Sequence, residues 1–375
     1  MSAVALPPDA EDPAYLSRQL ITYLGNKRAL LDPINHAVAQ VRQRLGGRPL
    51  RIFDAFSGSG VVARRLKAHA SLLISNDLEA YAAVVGRCFL RNRSTVEHAA
   101  LQEAIDAMNA QVAAGQLLPG FIRELYAPND AAQIQAGERV FYTPENAQRL
   151  DTFRQMIAQT PAAWHDLLLG PLLSAASIHA NTAGVFKGFY KNRQTGIGQF
   201  GGSGADALQR ICGPVRLAPP VLSRFECETH VLHGDTNQVA AQLRNLDLAY
   251  LDPPYNQHPY GANYFMLNLL VDYQRPAQIS PVAGIPPNWQ RSGYNVRSQA
   301  LPLLRSLIAQ LDAPFVLISF NNEGFIAPET MDALLREFGQ VERVEMRYNA
   351  FRGSRNLARR AIHVTEQLFL LERRR

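Results

Sequence analysis

"RIFDAFSGSGVVARRLKAHASLLISND" runs from Arg51 to Asp77. Its opening reads as a strand that ends at a turn of small residues, Phe56-Ser57-Gly58-Ser59-Gly60. "VVARRLKAHA" reads as the helix after that turn, and "SLLISND" (Ser71–Asp77) as a second strand ending in an acid. A further helix is expected from Leu78 to about Arg91. Strand, helix, strand, helix implies a parallel sheet covered by helices. Glycines let the main chain approach a ligand, and free N–H groups at a helix start favour an anion. A tight turn that merely needs small residues has the same pattern. G-x-G-x-x-G is not met, because Ala63 stands at the last position, so a nicotinamide fingerprint is not indicated. Asp77 is placed to bind two ribose hydroxyls or to cap the next helix, and both roles can hold at once.

Outward from this unit the alternation stops. Residues 98 to about 225 are mostly helical patterns, broken by the glycine-rich "KGFYKNRQTGIGQFGGSGAD" (Lys187–Asp206). Alternation resumes with "ETHVLHGD", "LDLAYLDPPY", "PFVLISFNN", "QVERVEMRY" and "HVTEQLFLLER". The expected organisation is a loose tail (1–14), one α/β domain (15–97 and 226–375) and a helical insertion (98–225). A loop from Pro276 to Ser298 is rich in Pro and Gly and carries Trp289, Arg291 and Arg297.

Composition narrows the class without deciding it. Hydrophobic residues make up 47% of 375, as in an ordinary globular chain, and a charge of +6 is a weak pointer to a polyanion. Cys88, Cys212 and Cys227 form no CxxC pair, and the nine histidines show no HExxH spacing, so no disulfide framework or metal site is expected. "MSAVALPPDAEDPAY" lacks a basic start and apolar core, and no stretch is apolar enough to span a bilayer. A cytoplasmic protein is the expectation.

"LDPPY" (Leu251–Tyr255) carries the chemistry. Two adjacent prolines end a strand, so Leu246–Leu251 is an expected buried strand with a stiff tip at its carboxyl end. This tetrapeptide, Asp252-Pro253-Pro254-Tyr255, should arise by chance in on the order of one chain in a thousand of this length. An exocyclic aromatic amine is a poor nucleophile, because its lone pair is shared with the ring. Two acceptors on its two N–H bonds, the Asp252 carboxylate and the Pro253 carbonyl, would hold that lone pair out of plane. Tyr255 supplies a flat face, and stacking contributes ~1–3 kcal/mol per base. Inside a duplex the amine is out of reach, so the base must be flipped at a cost of a few kcal/mol.

These motifs resemble the Dam-like (D12 class, α group) N6-adenine DNA methyltransferases, over roughly residues 19–92 and 226–372. "ITYLGNKRALL", "FDAFSGSG", "SND", "HGD" and "LDPPY" match in that order, with "ISFNNEG" and "EQLFLLER" similar near the carboxyl end. The resemblance implies a Rossmann-like S-adenosylmethionine-dependent methyltransferase fold, α/β with a mostly parallel sheet and a helical target-recognition insertion. It implies S-adenosylmethionine as cofactor. Tyr23, Lys27 and the backbone around Phe56, Gly58 and Gly60 would meet the methionine end. Asp54 is placed with them, Asp77 at the ribose, Asp235 near the adenine, and Asp252 against both cofactor and target. Double-stranded DNA is the implied partner, with a cognate restriction endonuclease a further one, and a monomer is expected. The extension "NQHPYGANYFMLN" departs from the housekeeping enzyme and is similar to a subset of restriction-associated and orphan enzymes, which leaves the recognised site open.

For DNA contact the candidates are Lys187, Lys191 and Arg193, interleaved with Phe186, Phe189, Tyr190 and Phe200, together with Arg291 and Arg297. "RGSRNLARR" (Arg352–Arg360) is a further candidate for phosphate. Cytosine C5 methylation is rejected, since no cysteine follows a proline. N4-cytosine methylation uses the same amine chemistry and stays open, as does a catalytically silent DNA-binding or partner subunit.

Overall fold

The computed structural model describes residues 11–202, 206–322, 324–349 and 363–374. Seven strands form one sheet: β1 (Leu50–Asp54), β2 (Ala70–Asp77), β3 (Glu228–His233), β4 (Leu248–Leu251), β5 (Phe315–Asn321), β6 (Gly339–Asn349) and β7 (His363–Arg373). Their order is β3-β2-β1-β4-β5-β7-β6. The first five are parallel to their neighbours, while β7 runs antiparallel between β5 and β6. This is the mostly parallel α/β sheet that the glycine turn and the strand–helix alternation lead one to expect.

Alternate residues of the central strands feed two cores, as the period of two requires. Ile52, Leu248, Tyr250, Phe315 and Leu317 pack with the helices Leu31–Arg44 and Val61–Leu66 on one face. Phe53, Ala249, Leu251, Val316 and Ile318 pack with Arg297–Gln310 and Pro328–Phe338 on the other. A third core joins the helix Ala80–Phe89 to the insertion's helices His98–Ala113, Pro144–Ala158 and Ala162–Ile178 and to Phe265–Asp272. The insertion therefore shares its core with segments on both sides of it in sequence.

Three expected boundaries differ in detail. The strand expected from Leu246 begins at Leu248, because the Asp247 carboxylate accepts from the Arg51 amide at 2.8 Å and from the Arg48 guanidinium. The helix after the glycine turn ends at Leu66 and continues as a 3₁₀ turn to His69. Within the expected tail, Pro13 starts a helix capped by Asp12, and its buried Tyr15 donates to the Phe89 carbonyl at 2.9 Å. Residues 1–10 and the Arg352–Arg360 stretch lie outside the described residues.

Chain order diverges between β1 and β4: β2 and β3 lie to one side, β5 to the other. At such a switch point the carboxyl ends of the strands open a crevice.

Candidate active site

The crevice is a pocket between the glycine turn after β1, the ends of β2 and β3, and the Asp-Pro-Pro-Tyr tip after β4. Phe56–Ser59, Asp77, Asp235, Asp252 and Pro254 line it together with Tyr23 and Lys27. The acid and the second proline of the tip thus face the glycine turn across one space.

The turn is held by its own backbone and by Asp77. Ser57 N–H donates to the Asn76 carbonyl at 2.9 Å, and Gly60 N–H to the Ser57 carbonyl at 2.7 Å. Asp77 Oδ2 accepts from Gly58 N–H at 2.7 Å and Oδ1 from Glu79 N–H at 2.9 Å. Burial pushes the Asp77 carboxyl up, and those amides offset part of that. Asp77 therefore braces the turn while lining the pocket.

Gly58 has φ +51°, and a Cβ there would lie 2.8 Å from the Tyr23 ring. Gly58→Ala should cost about 1–3 kcal/mol from overpacking and left-handed strain. The midpoint of urea unfolding measures this; an unchanged midpoint would mean the ring yields freely.

Tyr23 is stacked on Tyr260 (5.1 Å) and Tyr264 (4.9 Å). The Tyr264 hydroxyl accepts from Leu24 N–H at 2.8 Å, and the Tyr260 hydroxyl donates to the Leu24 carbonyl at 3.1 Å. The segment after the tip, whose extra length marked it in the sequence, is thus a clasp on the Tyr23–Lys27 turn of the pocket wall. Loop residues Gln290–Asn295 cover the opposite side. Tyr294 meets Phe56 edge-on at 5.2 Å and donates to Asn237 at 2.8 Å, and Asn295 donates to the Asn256 carbonyl at 2.7 Å.

Lys27 lines the pocket. It is buried, and its ammonium is directed at three protein acceptors: the Gly25 carbonyl (3.2 Å), Asp252 Oδ1 (3.0 Å) and Glu366 Oε1 (2.9 Å). Burial works to lower this lysine, but Asp252 and Glu366 outweigh it and hold the ammonium well above its ordinary range. Burial pushes Asp252 up to about 6, with Lys27 opposing and Glu366 adding to the rise.

Other expected residues fall in different places. Asp54 is wholly buried at the end of β1 and does not line the pocket. Among the described residues neither of its oxygens has a hydrogen bond of good geometry, although the Phe56 and Ala63 amides face it. Burial, then Asp252 and Asp77, push its carboxyl well above the ordinary range. Gly60 is the left-handed N-cap of the next helix, and Pro253 is buried, so neither lines the pocket. Tyr255 is half-buried behind the tip. Its ring meets Phe320 edge-on at 6.1 Å and lies 5.6 Å from the Lys27 ammonium. Asp235 caps the helix Thr236–Ala240 through Gln238 N–H (3.1 Å) at the pocket edge.

Of the DNA-contact candidates, Lys187, Lys191, Arg193, Arg291 and Arg297 are all exposed. Lys187 and Trp289 line an open cleft of about 480 Å³. Gln290, next to Trp289, also lines the main pocket. Arg291 stacks on Trp289 (4.2 Å) and Arg297 on Phe325 (4.8 Å). Phe186 is a correction: it is buried in the third core beside Phe141 and Phe265, where its N–H donates to the Asn263 carbonyl at 2.7 Å.

Two carboxylates were not singled out in the sequence. Glu79 is buried in the pocket wall, accepts from Asn268 at 2.7 Å, and is pushed up to about 7 by burial. Glu366, in β7, is fully buried. Its signal was an acid inside the apolar run of "EQLFLLER".

The model of the D12 class N6 adenine-specific DNA methyltransferases matches residues 23–196 and 220–296. The chain belongs to the D12 class of N6-adenine-specific DNA methyltransferases. The matched residues include every pocket-lining side chain, from Tyr23 to Asn295. The Type II methyltransferase M.NlaIII of Neisseria lactamica is 28% identical to this D12 enzyme over 372 residues, 94% of this chain and 99% of that one. M.CviAII of Paramecium bursaria Chlorella virus 1 is 27% identical over 341 residues, covering 88% and 93%. The modification methylase StsI of Streptococcus sanguinis is 24% identical over 94% of this chain but 52% of its own length. Membership in the D12 class makes the adenine N6 amine the target, which decides against the N4-cytosine alternative.

Proposed function

We propose that this D12 methyltransferase takes its methyl group from S-adenosylmethionine and delivers it to a flipped adenine in double-stranded DNA, as the modification member of a restriction-modification system. The observation that carries the cofactor reading is a backbone cradle, Phe56–Ser59, in which Gly58 leaves no room for a Cβ, opening onto acidic side chains suited to a cation. S-adenosylmethionine would supply an activated methyl on a sulfonium. Tyr23, the cradle amides, Asp77, Glu79 and Asp235 would hold it. The Type II names of the relatives favour a modification role. A cytoplasmic monomer with a cognate endonuclease as partner is part of the same proposal.

The chain's own groups do the rest. Asp252 uses Oδ1 for Lys27 and presents Oδ2 to one N–H of the target amine. The Pro253 carbonyl, on a proline-stiffened backbone, takes the other. The two acceptors turn the nitrogen lone pair toward the donor. Methylation requires the amine nitrogen to shed a proton, and a carboxylate held near pH 6 is suited to take it. Lys187 of the adjoining cleft and the exposed Lys191, Arg193, Arg291 and Arg297 would meet phosphates, and the Tyr255 ring would offer the base a flat face.

The test is transfer of labelled methyl to duplex DNA, followed by nucleoside analysis and modified-base sequencing. Label in N6-methyladenine at one recurring sequence is expected. Label in N4-methylcytosine, or none while the cofactor binds, would overturn the proposal.

A further inference from the structure

Glu366 lies outside the stretch matched by the family model, yet it is part of the active centre. It reaches the centre from β7, with no exposed surface. Its Oε1 receives both the Lys27 ammonium (2.9 Å) and the Ser319 hydroxyl of β5 (2.9 Å). β7 is antiparallel to β5 with Glu366 opposite Asn321, so two paired strands fix the carboxylate from below. Lys27 then bridges it to Asp252 Oδ1 at 3.0 Å. One cation is shared by two acids.

We propose that Glu366 is a positioning residue for methyl transfer: by holding the Lys27 ammonium between two carboxylates, it keeps Asp252 oriented through Oδ1 and leaves Oδ2 basic enough to accept from the adenine amine. This rests on the proposed role of Asp252. With Glu366 uncharged, the whole of Lys27's charge would fall on Asp252. The acceptor would then be weaker and more readily ionised.

The groups facing Asp252 are Lys27, Glu366, the hydroxyls of Tyr250, Tyr255 and Tyr260, and the deeper Asp54. Burial holds the three tyrosines above their ordinary range and Asp54 toward its neutral form. Burial is what raises Asp252 to about 6, and Lys27 and Glu366 are the charges that pull against and add to that rise.

The experiment is the pH–kcat profile of the full-length enzyme, measured in single turnover on duplex DNA. Glu366→Gln keeps the shape and the hydrogen bonds but removes the charge. Its acid limb should move down by on the order of one pH unit, with a plateau reduced about tenfold. Ser319→Ala keeps the charge and loosens its anchor. Its plateau should fall several-fold with the limb unmoved, and it stands as the test if Glu366→Gln fails to fold. Wild-type plateau and limb in Glu366→Gln, or a wild-type plateau in Ser319→Ala, would overturn the proposal. Asp252→Asn, run alongside, separates the two claims. If that variant is active, the Asp252 reading fails; if it is inactive while Glu366→Gln is unchanged, the fault lies with Glu366 alone.

Discussion

Asp252→Asn is expected to lower kcat by on the order of 10³-fold while S-adenosylmethionine binding weakens only a few-fold. The substitution keeps size and one carbonyl oxygen, so the pocket wall survives. It removes the negative charge that accepts the amine proton. It also strips Lys27 of one of its two charged partners, leaving Glu366 alone to hold it. Cofactor binding by calorimetry and single-turnover transfer separate the two effects; turnover within a few-fold of wild type would remove Asp252 from the reaction. The same residue sets a pH dependence. Below about 6 the carboxyl is protonated, offers a donor where an acceptor is needed, and the rate should fall tenfold per pH unit.

Stability has the opposite sign. The Asp252 carboxyl is higher in the folded enzyme than the ordinary value of 3.8. Protonation therefore favours the folded state. That contribution is fully present below about pH 4 and is lost as pH rises through 6. The enzyme is most active where this residue is least stabilising, as expected of an ionised acid kept buried for chemistry.

The second large effect is Lys27→Met. Removing the shared cation takes from Asp252 and Glu366 the ammonium that both face, and breaking such a buried pair costs about 3–5 kcal/mol. One of the two acids should then take up a proton at neutral pH. The loss measured by denaturant unfolding should be larger at pH 8 than at pH 5, because acid neutralises the orphaned carboxylates. A pH-independent loss would mean that packing of the lysine stem, not its charge, is what matters. Transfer should fall with the lost orientation of Asp252 even under conditions where the variant is fully folded.

Much of this was legible from Arg51–Asp77 and Leu251–Tyr255 alone. A glycine turn between a strand and a helix, an acid at the next strand end and a proline-stiffened tip are local signals, because φ restrictions and strand ends act over a few residues. They placed Phe56, Gly58, Asp77 and Asp252 around one pocket without any knowledge of topology, and the family resemblance added Asp235. The partners of those residues were less visible. Lys27 read as a group for a ligand's carboxylate, and its acids lie 225 and 339 positions away in sequence, a separation that no local pattern encodes. Phe186 read as a groove aromatic, but burial depends on which surface the insertion meets.

By itself, then, the order of residues determined the sheet, the turn, the reactive tip and the class of chemistry, since each is imposed by neighbouring backbone and side chains. Tertiary structure alone decided which charges meet. The return of β7 beside β5 buries Glu366 under Lys27, and the clasp of Tyr260 and Tyr264 holds the segment that carries that lysine. Electrostatic coupling acts through space at a few ångströms, whereas sequence records only distance along the chain.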